Sequence, residues 1–195
     1  MTRIVWIASL LCVLATPVFA ETCHEIFVRL FDKGNGNMPT KSIAVQQTGK
    51  AKPTRNYHYH SGRDDWMSVA IEPDNGWATL VVADVMYSSK DKGKTWKKVR
   101  KVDTQSHKAA GEKTKKDALT TVKNAVCGKE VLNKVEHITV EADFEYRQYK
   151  SSYHQKYWVH PKSGWISKSH MQSNGFSAIQ TMEPMPDLKL PKPGK

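Results

Sequence analysis

From Cys23 to Leu30 the apolar positions fall at Cys23, Phe27 and Leu30, spaced i, i+4 and i+7, with Ile26 beside them. That spacing predicts an amphipathic helix that stops at Gly34. A second helix is predicted further on, with Thr114 as cap and Asp117 in its first turn. Its apolar face would be Ala118, Leu119, Val122, Ala125 and Val126. Most of the remaining pattern has the two-residue period of strands. The clearest run is Ile138, Val140, Ala142, Phe144 and Tyr146 alternating with Thr139, Glu141, Asp143 and Glu145, which predicts a half-buried strand. Further strands are predicted at residues 66–72, 77–87 (one strand or a bent pair), 96–102, 153–160, 165–171 and 176–182, and residues 38–52 are another candidate. Asp74-Asn75-Gly76, Pro161-Lys162-Ser163-Gly164 and Ser173-Asn174-Gly175 supply hairpin turns. Consecutive strands joined by short turns predict an antiparallel meander, not a parallel α/β sheet, so the expected class is α+β.

The first 20 residues belong to a different pattern. Arg3 precedes an uncharged run from Ile4 to Leu14, and Val18-Phe19-Ala20 suits a small-residue cleavage site. Positive, apolar and small in that order is a secretory signal peptide, with an apolar run too short to span a membrane. The expected product is an exported, soluble or peripheral protein cleaved near Ala20. Cys12 would leave with the leader, so the mature chain keeps Cys23 and Cys127. An even pair in an exported protein predicts one disulfide, stapling helix to helix or helix to sheet, and a periplasmic or secreted destination. The expected organisation is signal peptide 1–20, one antiparallel β domain over 21–183, and an extended Pro/Lys-rich tail over 184–195.

Charge adds a candidate partner. The chain carries 30 Lys and Arg against 19 Asp and Glu, a formal net charge of +11. Lys97, Lys98, Arg100 and Lys101 lie in a cluster with Lys90, Lys92 and Lys94, and Lys108, Lys113, Lys115 and Lys116 follow. Such a face attracts acidic polymers or lipid headgroups. The six tryptophans and seven tyrosines could stack bases, but no nucleic-acid fold signature accompanies them, and nucleic acid is not an expected partner.

Candidate chemistry is sparse. Ser89-Lys90-Asp91-Lys92-Gly93-Lys94-Thr95-Trp96 has the S-x-D-x-G-x-T-W pattern of an Asp-box. A single copy predicts a stabilised hairpin and not a propeller enzyme, which repeats the unit in blade after blade. Tyr57-His58-Tyr59-His60 puts His58 and His60 on one face of a strand, the spacing of a two-histidine metal clamp with no obvious third ligand. No GxSxG, Walker loop or dinucleotide fingerprint is present, so neither catalysis nor a cofactor is expected.

One segment carries a family resemblance. Lys156-Tyr157-Trp158-Val159-His160-Pro161-Lys162-Ser163-Gly164-Trp165-Ile166-Ser167-Lys168 resembles the strand–turn–strand of LolA-like outer-membrane lipoprotein carriers, a W-[VI]-D-P-K-T-G-L hairpin followed by a positive residue. His160 stands where that family usually has Asp, and Trp165 where it usually has Leu. The wider order is similar from Glu21 to Glu183: first helix, strands, a lysine-rich hairpin ending in Trp, second helix, meander. The resemblance implies a curved antiparallel half-barrel with helices packed on its concave face, and a cavity for acyl chains. Candidate wall residues are Val69, Ile71, Leu80, Val82, Ile138, Val140, Phe144, Tyr157 and Trp158. The leading expectation is a non-enzymatic periplasmic carrier for a lipid, a lipidated partner or another apolar ligand. Two alternatives stay open. One is a cationic exported module that contacts acidic polymers or membrane headgroups through Lys97, Lys98, Arg100 and Lys101. The other is a small metal-dependent protein using His58 and His60.

Overall fold

The computed structural model describes residues 21–62 and 64–193, so the expected signal peptide lies outside the described residues. A single sheet of 11 strands dominates the molecule. In chain order these are β1 (Thr40–Thr48), β2 (Thr54–His60), β3 (Trp66–Glu72), β4 (Ala78–Val82), β5 (Val85–Ser89), β6 (Lys97–Lys101), β7 (Lys123–Leu132), β8 (Val135–Tyr146), β9 (Ser151–Val159), β10 (Ile166–Ser173) and β11 (Phe176–Pro184). Helix α1 (Cys23–Lys33) precedes them, and α2 (Thr104–Leu119) separates β6 from β7. All pairings are antiparallel, and the spatial order is β6-β5-β4-β3-β2-β1-β11-β10-β9-β8-β7. Two meanders therefore meet at β1 and β11, and the outer edges are β6 and β7. This is the expected α+β class, a curved open sheet with two helices.

The meander forms where alternation and turn chemistry agree. The 77–87 run is the bent pair, split into β4 and β5 by Ala83 and Asp84, both at positive φ. Residues 38–52 supply β1 in the middle of the sheet. Leu80 and Val81 are both fully buried, so both faces of β4 are covered at that point.

Helix α1 starts at a capping box. The Thr22 hydroxyl accepts from the Glu25 amide at 3.2 Å, and the Glu25 carboxylate accepts from the Thr22 amide at 2.7 Å. It ends at Gly34, whose φ of 52° lets its amide donate to the Leu30 carbonyl. The apolar stripe lies on β8 and β9, where Phe27, Leu30, Val140, Ala142, Phe144, Val159 and Ile166 form the core with Ala118 of α2. The Phe27 ring centroid is 5.9 Å from Phe31 and 5.7 Å from Tyr157. Cys23 in α1 and Cys127 in β7 form the disulfide, with Cα atoms 5.5 Å apart. It staples helix to sheet.

The second helix is displaced from its expected position. It occupies Thr104–Leu119 and ends where the predicted apolar face begins, while Ala125, Val126 and Cys127 belong to β7. Two physical causes are visible. The run Thr120-Thr121-Val122 is β-branched, and the Thr121 hydroxyl donates back to the Ala118 carbonyl at 2.6 Å while accepting from the Glu145 amide at 2.8 Å. Beyond it, β7 finds a full partner in β8, with Cys127 opposite Val140. Cross-strand pairing outweighs a weak local helical pattern. The body of α2 has no apolar stripe to read, and only Ala118 is buried. Its start is held by Asp103, whose carboxylate accepts from the Ser106 amide at 2.9 Å.

The Asp-box is a hairpin between β5 and β6. The Ser89 hydroxyl donates to Asp91 Oδ1 at 2.6 Å and accepts from the Gly93 amide at 2.8 Å. Asp91 also accepts from the Thr95 amide and hydroxyl. These donors, Ser89 first and then Thr95, hold the Asp91 carboxyl well below the usual carboxylate range. Gly93 is required here because its φ is +88° and the Trp96 ring lies 3.0 Å from where a Cβ would sit.

Candidate functional site

Strand parity determines what each face presents. On the concave side β1 offers Ser42, Ala44 and Gln46, and β2 offers His58 and His60. Tyr157 and Gln155 come from β9, Ser169 and Met171 from β10, and Ala178, Gln180 and Met182 from β11. The register lines these up across the strands: Tyr157 opposite Ser169, Ser169 opposite Gln180, Gln180 opposite Ala44. Against this floor lie Leu30 and Phe31 of α1, the loop Gly34-Asn35-Gly36, and Lys115 of α2. Together they enclose a cleft of about 740 Å³. Asn35 pins the loop to β10, accepting from the Ile166 amide at 2.8 Å and donating to the Ile166 carbonyl at 3.1 Å.

The cleft is mixed in character. Its helix side is apolar, through Leu30 and Phe31, while its floor carries hydroxyl, amide and imidazole groups. Gln180 donates to the Ser42 hydroxyl at 2.8 Å. Burial pushes the His58 imidazole below its ordinary pKa, and His60 likewise, although Asp64 opposes the shift at His60. Burial also pushes the Tyr157 phenol up. Lys115 is held at 2.7 Å by the Asp32 carbonyl and at 3.2 Å by each of the Asp32 and Glu112 carboxylates. Burial works against its charged form, but these partners hold the ammonium above the ordinary lysine range.

Of the nine residues expected in a cavity wall, Tyr157 lines this cleft. Val140 and Phe144 share its face but lie fully buried in the core beneath α1, and Ile138, toward the end of β8, is 40% exposed. Val69 pairs with Tyr57 and so lies on the face turned away from His58, while Ile71 sits unpaired at the register shift between β2 and β3. Leu80 pairs with Met67 on that same face, and Val82 follows Leu80 there. Trp158 also faces outward. Its indole donates to Glu130 at 2.8 Å, and Lys156 and Lys168 stand 5.2 and 4.4 Å from its ring centroid. His58 and His60 share the concave face as the sequence predicts, yet among the described residues no group of three or more His, Cys, Asp or Glu is placed to hold a metal ion. Lys97, Lys98, Arg100 and Lys101 are all exposed on the edge strand β6. Sequence reasoning passed over the polar floor, Ser42, Gln155, Ser169 and Gln180, because it sought apolar wall residues. Part of the signal was available: the Ser173-Asn174-Gly175 turn carries parity from Ser169 to Gln180, but the register shift between Ile166 and Lys168 breaks the parity that the preceding turn would carry from Tyr157.

An open antiparallel sheet cradling a helix over a cleft is a LolA-like fold, the one the sequence resemblance implies. It is shared by two solved structures at low sequence identity. The lipoprotein LppX of Mycobacterium tuberculosis aligns at a TM-score of 0.61 and 14% identity, covering 86% of this chain and 97% of that one. LprF of Mycobacterium bovis aligns at 0.56 and 10% identity, covering 89% and 97%. A LolA-superfamily protein of Nitrosomonas europaea is similar only in outline, at a TM-score of 0.36 and 7% identity over 88% of this chain and 96% of that one. No family model matches the sequence, and no curated protein matches it at the sequence level.

Proposed function

We propose that the protein is a non-enzymatic periplasmic carrier that holds a lipid, a lipidated partner or another apolar ligand in the cleft between α1 and the concave face. The observation that carries this reading is the cleft itself. Its volume of about 740 Å³ falls in the roughly 300–1,000 Å³ range of small-molecule sites, and Leu30, Phe31, Tyr157 and Met171 give it apolar surface. The domain would span 21–183, after removal of the leader near Ala20. Native mass spectrometry of untagged protein, purified from periplasm without detergent, tests the reading directly. A reproducible excess mass that extracts into organic solvent is the expected result. A bare mass, together with failure to bind a fluorescent fatty acid, would overturn it.

A filling substitution locates the ligand. Ala178 lines the cleft on β11, and Ala178→Trp places an indole in the volume an acyl chain would use. Fluorescent fatty-acid affinity is expected to fall at least about tenfold, or about 1.4 kcal/mol, with the melting temperature little changed. Undiminished binding by the folded variant would place the ligand elsewhere.

The edge strand supports a second reading, contact with acidic lipid headgroups or polymers. Among the described residues none of Lys97, Lys98, Arg100 and Lys101 has an acidic partner, so their charge is unspent. Exposed lysines on an edge also discourage edge-to-edge pairing, which asks nothing of a partner. Neutralising all four to Gln is expected to abolish binding to anionic vesicles and leave fatty-acid binding unchanged. Wild-type vesicle binding that stays flat from low to high salt would remove this reading.

A further inference from the structure

The chemistry of the cleft floor says more about the ligand than its volume does. Among the described residues several neutral polar groups reach the cleft without a side-chain hydrogen-bond partner, and three of them bear on the ligand. Among the described residues, the Tyr157 and Ser169 hydroxyls and the His58 imidazole have no hydrogen-bond partner. Register puts Tyr157 and Ser169 opposite one another on β9 and β10, with Gln180 next in the same row. His58 lies opposite Ser42, the residue that Gln180 bonds, so the polar groups form one continuous strip in the middle of the sheet. An acyl chain satisfies none of them, and a buried polar group left without a partner costs about 1–3 kcal/mol.

The strip also lacks free charge. Among the described residues no acidic side chain and no arginine lines the cleft, and its one lysine, Lys115, is saturated by Asp32 and Glu112. A carboxylate or phosphate buried here would have no available cation, and a buried ammonium no available anion. Burial keeps His58 and His60 uncharged near neutral pH, so they act as hydrogen-bonding groups and not as counterions.

Building on the carrier function, we propose that the cleft selects an amphiphile whose polar part is uncharged and rich in hydroxyl or amide groups. That part binds along Tyr157, Ser169, Gln180 and His58, with the apolar chain against Leu30 and Phe31. Three probes with the same ten-carbon chain test this: decyl β-glucoside, decanoate and decyltrimethylammonium. Each is titrated calorimetrically at pH 7.5, below its micellar concentration, into the exported protein after organic extraction and refolding checked by circular dichroism. The glucoside is expected to bind at least about tenfold tighter than either charged probe, the equivalent of one or two hydrogen bonds. The Tyr157→Phe and Ser169→Ala double variant keeps the packing and removes both hydroxyls. It is expected to lose that margin for the glucoside while binding decanoate as the wild type does. Equal affinity for the three probes, or a margin that survives the double variant, would overturn the headgroup proposal and leave the carrier reading standing. Binding of none of the three by the folded protein would overturn both.

Discussion

Phe144→Ala is expected to cost about 3–5 kcal/mol of stability, the range for truncating a fully buried aromatic. Phe144 is wholly buried, and its ring centroid lies 4.8 Å from Phe31, 5.2 Å from Tyr146 and 5.6 Å from Tyr153. Phe31 in turn lines the cleft, so the cavity left behind would open directly beneath the helix wall. Urea unfolding followed by tryptophan fluorescence measures the loss. A value below about 1 kcal/mol would mean that α1 settles into the space, and fatty-acid affinity would then change with cleft shape and not with stability.

Removing the Cys23–Cys127 bond is the other large effect. The two cysteines are 104 residues apart in sequence, and a closed loop of that order restricts the unfolded chain by an ideal 4–5 kcal/mol or so. The Cys23→Ser and Cys127→Ser double variant is expected to lose about 2–5 kcal/mol, with the urea midpoint falling and the slope changing through the altered unfolded state. An unchanged midpoint in the double variant would show that Phe27 and Leu30 anchor α1 without help.

Legibility followed burial on one face. β8 was plain over its second half because Val140, Ala142 and Phe144 are buried while Glu141 and Asp143 face outward; toward its start the burial reverses, with His137 and Thr139 buried and Ile138 exposed. β3, β10 and β11 were bounded by strong turn chemistry and emerge close to their predicted limits. α1 was legible through its stripe and its glycine stop. α2 was not, because a helix that buries only Ala118 leaves no period to detect. β7 reads as helix for the converse reason: an edge strand whose residues are mostly exposed alternates weakly, and its apolar residues fit a helical wheel. The cleft was the least legible part. Apolar residues occur on both faces of this sheet, so hydrophobicity could not distinguish Tyr157, which lines the cleft, from its neighbour Trp158, which faces outward beneath two lysines. Facing is a property of register, and register belongs to the pairing of two strands, not to either one.

The order of the strands has a further consequence for the integrity of the chain. Among the described residues the β1–β6 and β7–β11 meanders pair strand to strand only where β1 meets β11, and α2 is the covalent link between their far edges. That link is an exposed helix carrying Lys108, Lys113 and Lys116. The disulfide, however, joins α1, ahead of the first meander, to β7, the first strand of the second. A protease cutting within α2 therefore produces two halves that remain a single covalent molecule, zipped along a central seam and tied at one edge. Such a nick would pass unnoticed until a reductant let the halves part.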